Sequence, residues 1–311
     1  MKILITGGAG FIGTKICNKL KDNFEIIVLD NFSEQIHGKK PKLIEGVEYS
    51  IGDVTNINDW KKVMLKNPDY IIHLAAETGT GQSMDEITRY INTNVVGTST
   101  MLEFLNKNDN NVKKIILSST RAVYGDGINS VNNVDLQPKS VYGLSKLNQE
   151  HLIRVSSKIP YTILRYQNVF GDGQSLHNPY TGIISIFSNL LIKNEPVTIF
   201  DNGLPTRDFI YVDDVVDATL ECIFNENSNY KIYDIGTGND SKIIDVAYKL
   251  KELLNSNSNI LVSDYHRDGD IIHAKGDIGK IKNELGWVSK YDLNFGLNEF
   301  VYWFKNEVNK N

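Results

Sequence analysis

Lys2-Ile3-Leu4-Ile5-Thr6-Gly7-Gly8-Ala9-Gly10-Phe11-Ile12-Gly13 decides the fold of this chain. The run Lys2–Thr6 reads as a short buried strand that breaks into a glycine turn and then a helix. Gly8, Gly10 and Gly13 satisfy G-x-G-x-x-G, and Gly7, Gly10 and Gly13 satisfy the wider G-x-x-G-x-x-G. A turn without side chains lets backbone amides approach a pyrophosphate, and the helix behind it adds its positive N-terminal end. Glycine turns also serve structure alone, so the next apolar run matters. Glu25-Ile26-Ile27-Val28-Leu29 leads to Asp30, 17 residues beyond Gly13, at the tip of a second strand. A carboxylate there accepts hydrogen bonds from an adenosine ribose and repels a 2′-phosphate, which favours NAD over NADP.

Working outward, apolar strands recur between helical stretches: Ile3–Thr6, Ile26–Asp30, Val47–Ile51, Tyr70–Leu74, Lys114–Ser118, Tyr161–Arg165 and Lys231–Asp234. This alternation predicts βαβ units and a Rossmann-type, doubly wound parallel sheet of about seven strands. Asp59–Leu65, Glu86–Leu105 and Tyr142–Ser157 supply crossover helices. After Arg165 loops lengthen, Gly and Pro cluster and helices shorten. Residues 1–165 therefore read as a cofactor domain, and 166–311 mainly as a smaller mixed α/β substrate lobe. Phe209–Cys222 and Lys231–Asp234 return to the first domain, so 209–235 belongs with it.

The chain has 311 residues, 41% of them hydrophobic and 23% charged, enough for one large core or two packed lobes. A net charge of −5 argues against a general nucleic-acid binder. Cys17 and Cys222 stand far apart without metal-ligand spacing, and read as buried thiols in a reducing compartment. His73 and His177 have no partners at ligand spacing either, and His73 reads as a strand-end residue. No apolar stretch approaches ~20 residues, and the chain opens into a core strand, so the cytoplasm and no membrane are expected.

A second signal is Ser118-Ser119-Thr120 at a strand end, followed by Tyr142-Gly143-Leu144-Ser145-Lys146. Tyr142 and Lys146 are four apart and share one helix face. A phenol of pKa ~10 is a poor base at neutral pH. An ammonium ~4 Å away at an effective dielectric of ~20 contributes about 4 kcal/mol toward phenolate, before desolvation. Thr120 then aligns the reacting oxygen. Y-x-x-x-K alone is common on amphipathic helices; after a dinucleotide turn and a strand-end Ser/Thr cluster it reads as the catalytic pair.

Gly7–Gly13, Asp30, Asp53-Val54, His73-Leu74-Ala75-Ala76, Ser118–Gly125, Tyr142–Lys146 and Arg165-Tyr166-Gln167-Asn168 together resemble the extended short-chain dehydrogenase/reductases. Within these, the chain is similar to the NAD-dependent nucleotide-sugar epimerases and dehydratases over essentially its whole length. The stretches 79–84 and 174–182 resemble a subgroup that includes dTDP-L-rhamnose 4-epimerase; read without the resemblance, their Gly, Ser, Asn and Pro suit turns.

The resemblance implies roles by position. Gly7, Gly10, Phe11, Ile12 and Gly13 would cradle NAD, with Asp30, Asn31 and Ser33 at its adenosine. Asp53 and Val54 would meet the adenine, and Leu74, Ala75, Ala76, Asn94 and Ser118 would line the groove. Lys146 would also bond the nicotinamide ribose, and Tyr166 would contact the cofactor nearby. A nucleotide-diphospho-sugar would meet Thr78, Gln82, Thr120, Tyr142 and Asn168, with Phe200 by its base. Arg207 and Arg267 would hold the diphosphate and Asp270 the ribose. The 4,6-dehydratases of the family place an Asp-Glu pair after the strand-end threonine; here Arg121 and Ala122 follow Thr120, and neither relays a proton to a departing hydroxyl. The expectation is thus a 4-epimerase that oxidises C4 and reduces it again, for polysaccharide precursor synthesis. A C4 dehydrogenase or keto-reductase shares every catalytic residue, and a cofactor-binding regulator without chemistry is the third reading. The helices 86–105 and 142–157 carry more apolar surface than one sheet face covers, and in related enzymes they pair across a two-fold axis, so a homodimer is expected.

Overall fold

The computed structural model describes residues 1–38, 41–129, 136–176, 178–180, 182–266 and 270–309, those at 127–129 as backbone only. Seven strands form one parallel sheet: β1 (Lys2–Thr6), β2 (Glu25–Asp30), β3 (Glu48–Ile51), β4 (Tyr70–His73), β5 (Lys114–Thr120), β6 (Tyr161–Tyr166) and β7 (Lys231–Ile235). Their order across the sheet is β7-β6-β5-β4-β1-β2-β3. The inner strands β1, β2 and β4 read as apolar runs because both faces are covered, whereas the edge strand β3 exposes Glu48 and Ile51. Ile3, Ile5, Ile26, Val28, Ile72, Ile116 and Leu164 pack on one face, under helices Phe11–Leu20 and Val212–Phe224. Their neighbours Leu4, Ile27, Leu29, Ile71, Ile115, Leu117 and Ile163 pack on the other, with Trp60, Met101, Leu105 and Ile153 from three further helices. A period of two thus sorts each strand between two cores, and each fully buried apolar side chain contributes about 1.5–3 kcal/mol.

From β1 the chain winds outward through β2 and β3, then returns to the opposite side of β1 at β4. The reversal leaves a crevice at the carboxyl ends of β1 and β4, where ligands bind in open α/β sheets. Thr6, Asp30, His73, Thr120 and Tyr166 all end strands at this edge.

The helical stretch 86–105 is a composite rod, Ile87–Tyr90, a π-helical segment Ile91–Val96, and Gly97–Lys107. Such widened turns gather at functional sites. Here the rod turns Asn94 and Thr98 into the interior, both fully buried. A third core lies beyond β6, built on Phe170, Phe187, Leu191, Leu250, Phe300 and Phe304. The expectation of shorter helices there is corrected: Leu293–Val308 has 16 residues, as long as Val141–Ser156. Leu297, Phe300, Val301 and Phe304 recur at helical spacing and are all buried, and Asp292 accepts a bond from Phe295 N to cap the start.

Candidate active site

The crevice is one continuous cleft of about 1230 Å³. Single small-molecule pockets measure about 300–1,000 Å³, so it has room for two ligands. At its floor Gly7 turns with φ +68°, and Gly10 precedes helix Phe11–Leu20 with no side chain capping it. A Cβ on Gly13 would lie 2.6 Å from Gly7 O and 2.6 Å from Gly8 Cα, so the helix seats directly on the turn. Gly7, Gly10, Phe11, Ile12 and Gly13 line the cleft, leaving the first helical amides facing it.

Asp30 closes the adenosine side. Its Oδ2 accepts from Ala9 N at 3.0 Å and its Oδ1 from Phe32 N at 2.9 Å. His37 Nε2 stands 3.5 Å from Oδ1. His37 escaped the sequence because only the return of 31–38 over the strand end brings it there. Asn31, Ser33, Val54, Leu74, Ala75, Ala76, Ser118 and Tyr166 line the cleft. The Tyr166 side chain packs in the first core, its hydroxyl 3.0 Å from Thr219 Oγ1.

Two expected cofactor contacts stand behind the wall instead. Asp53 turns its carboxylate to Thr55 N, Thr55 Oγ1 and Asn31 Nδ2, while its neighbours Gly52 and Val54 line the cleft. Asn94 is spent on structure, receiving Glu77 N at 2.8 Å and donating to Glu77 O at 3.1 Å and Ser145 Oγ at 2.9 Å. It clamps the loop after β4 to the helix that carries Tyr142.

Helix Val141–Ser156 begins where Ser140 Oγ accepts from Gly143 N at 3.1 Å, and it presents Tyr142 and Lys146 to the cleft opposite Thr120. Burial pushes the Tyr142 phenol up from its ordinary value, and hydrogen bonding with Thr120 pulls it down, with the net still upward. Burial pulls the Lys146 ammonium down to about 7, and Glu150 resists. The contribution toward phenolate that the spacing implies is thus opposed by the desolvation of both groups. Both groups sit where water is scarce, and the charged form of each loses solvation.

The far end of the cleft is built by the second part of the chain. Asn168 lines it with a buried Oδ1 that has no partner among the described residues. Phe200 meets Tyr265 edge-on at 5.5 Å, and Arg207 and Asp270 lie on the same wall with Thr78 further in. Arg207 is anchored by Thr206 O and Ile271 O at 2.8 and 2.9 Å. Burial lowers its guanidinium, while Asp270, Asp126 and Asp201 raise it. Gln82 is a correction: it is buried behind the wall, bonded to Gln35 at 2.9 Å and Glu86 at 2.9 Å. Arg267 lies outside the described residues, as does His177. Tyr265 and Gln35 were not legible beforehand; Gln35 also reaches Asn178 Oδ1 at 3.2 Å, and Ser175 Oγ donates to Ile36 O at 3.0 Å, so two distant loops meet across the cleft.

A glycine turn under a helix N-terminus, an acid at the tip of the second strand and a Tyr–Lys pair facing a strand-end threonine define a dinucleotide-dependent Rossmann enzyme. Residues 3–236 match the model of the NAD dependent epimerase/dehydratase family. The chain belongs to that family, and NAD is its cofactor. It is 35% identical to dTDP-L-rhamnose 4-epimerase of Burkholderia thailandensis, across 99% of this chain and 96% of that one. A UDP-glucose 4-epimerase of Thermotoga maritima solved with UDP-glucose superposes with a TM-score of 0.88 at 31% identity, covering 99% and 100% of the two chains. A Thermus thermophilus UDP-glucose 4-epimerase solved with NAD gives 0.85 at 26%, covering 98% and 99%. Decarboxylases and dehydratases of sugar nucleotides also stand among the relatives.

Proposed function

We propose that the protein is an NAD-dependent nucleotide-diphospho-sugar 4-epimerase. The carrying observation is the convergence of Thr120, Tyr142 and Lys146 on one cleft wall, with Arg121 and Ala122 where an eliminating enzyme needs an acid and a base. Arg121 is committed to Gly125 O, and alanine has no proton to give. When bound, NAD supplies the hydride acceptor for C4 and, once the 4-keto sugar has turned over, the donor to its other face. Tyr142, as phenolate, takes the C4 hydroxyl proton on oxidation and, as phenol, returns it on reduction. Thr120 holds the same oxygen in line with the Tyr142 oxygen. Lys146 places a positive charge beside the phenolate, which offsets the burial that favours its protonated form. Asn168, Arg207, Asp270 and Phe200 suit a nucleoside diphosphate, with donors for phosphate, an acid for ribose and a ring for the base.

The same proposal assigns 1–165 with 209–235 to the cofactor and the rest of 166–311 to the substrate. Its support is the pairing of β7 with β6 and the packing of Val215, Val216, Ala218, Cys222 and Ile223 on the sheet, while Phe209, Tyr211 and Val212 at the start of the returning segment join it to the third core.

The test is incubation with a panel of nucleotide-diphospho-sugars and no added cofactor. Epimerised product without net NADH absorbance is expected; stoichiometric NADH release would mean a dehydrogenase. Tyr142→Phe keeps the ring and removes the proton acceptor, a loss of ~10²–10⁴ in rate. Turnover within about threefold of wild type would refute this mechanism.

A further inference from the structure

Helix Val141–Ser156 carries a third charged residue on the face of Tyr142 and Lys146. Glu150 lies one turn beyond Lys146 and is fully buried. Its Oε1 accepts from Ser119 Oγ at 2.5 Å and Arg165 Nε at 2.9 Å, and its Oε2 accepts from Arg165 Nη2 at 2.6 Å. Arg165 lies over the Tyr124 ring at 4.7 Å, and the Tyr124 hydroxyl donates to Asp234 at 2.9 Å. Well-packed apolar residues usually serve stability as well as a buried ion pair does, so stability alone is a poor account of this one. Its position offers another. Ser119 directly precedes Thr120 on β5, so the Glu150 carboxylate is bonded to the strand end that carries the substrate-facing hydroxyl. Among the described residues, Glu150 is also the one carboxylate whose charge raises Lys146.

We propose that Glu150 is a positioning residue of the reaction: clamped by Arg165 and Ser119, it is the counter-charge that holds the Lys146 ammonium in the cleft and the brace that fixes the Thr120 strand end. This rests on Tyr142 and Lys146 performing the chemistry. The groups that face the pair come from every neighbouring element. Lys146 lines the cleft with Tyr142 of its own helix and Thr120 from β5, and its charge acts on His73 from β4, which burial and Lys146 together pull to about 3 and so leave neutral. Glu150 is bonded by Arg165 from β6 and Ser119 from β5, and its charge acts on Lys146 one turn away and on Asp234 from β7, whose carboxyl burial pushes up to about 7.

The sign of the effect follows. Glu150 favours the ammonium, so a neutral residue there lets burial act unopposed and lowers the pH at which Lys146 loses its proton. Activity that needs the ammonium then fails at lower pH. Glu150→Gln alone strands a buried guanidinium and threatens the fold, so the informative variant is Glu150→Gln with Arg165→Met, which removes both charges. Two readouts on the intact protein apply: the pH profile of kcat on an accepted sugar nucleotide, and NMR titration of ε-¹³C-labelled lysine with the Lys146 signal assigned through Lys146→Met. Both the Lys146 midpoint and the alkaline limb of kcat are expected to fall, by less than the loss of Glu150 alone would give because Arg165's repulsion of the ammonium goes with it, with KM little changed. A folded double variant with both unmoved overturns the proposal and leaves the pair purely structural. Should that variant not fold, Ser119→Ala decides, since it keeps both charges: kcat falling about threefold or more at constant KM and melting temperature supports the brace, and unchanged kcat overturns it. The NMR midpoint is read without turnover, so an active Tyr142→Phe would sink the 4-epimerase mechanism while the Lys146 titration still judged Glu150.

Discussion

Gly13→Ala is the smallest change that tests whether the glycine turn holds the cofactor. The added Cβ would lie 2.6 Å from Gly7 O, 2.6 Å from Gly8 Cα and 2.8 Å from Gly8 C. All three are backbone atoms, so no side chain can swing aside, and the turn must shift away from the helix. Forcing extra volume into a packed site costs about 1–3 kcal/mol, and backbone contacts place this site at the upper end. Alanine returns about 1 kcal/mol of helix propensity. The net is about 2 kcal/mol against the native turn, or roughly 30-fold in NAD affinity if it falls wholly on the bound geometry. Calorimetry on cofactor-stripped protein measures this, with thermal denaturation showing how much falls on the fold instead. Gly81→Ala is the control, because a Cβ there meets nothing within 4 Å although Gly81 also lines the cleft. NAD affinity within about threefold of wild type and an unchanged melting temperature for Gly13→Ala would refute the close-packing account.

Asp30→Ala removes the carboxylate at the adenosine end and should narrow the preference for NAD over NADP by about tenfold or more, measured by calorimetry; an unchanged ratio contradicts the repulsion argument. Burial pushes the thiols of Cys17 and Cys222 up to about 12, so neither should react with a disulfide reagent at pH 8 until denaturant exposes both; rapid reaction of the folded protein would show these cores to be open. On the rod 87–107 and helix Val141–Ser156, Tyr90, Asn94, Leu102 and Ile153 are buried within the chain, and Ile87, Val96, Leu144 and Val155 are left exposed for the homodimer we propose. Light scattering at micromolar concentration should give twice the chain mass and Leu144→Glu should halve it; a monomeric wild type rejects the dimer.

What the sequence determined by itself was everything written in short-range pattern. Most strands of the sheet are apolar-rich runs of ordinary strand length, and the alternation with helices implies their parallel order. The glycine turn and the Tyr142–Lys146 spacing are local geometries of a few residues, so they survive in any packing that keeps a strand, a turn and a helix. Leu293–Val308 was legible by the same rule, from its apolar spacing and its capping aspartate. The tertiary structure decided which of those residues face the cleft. Asn94 and Gln82 belong to cleft-forming segments, yet they turn inward because buried backbone groups and neighbouring amides need partners. His37 against Asp30, Tyr265 against Phe200, and Ser119 and Arg165 against Glu150 are likewise fixed by chain returns, or by contacts with β5 and β6, that no local period encodes. Whether a carboxylate, phenol or ammonium sits near its ordinary pKa follows from that packing, since desolvation and charge partners exist only once distant strands have met.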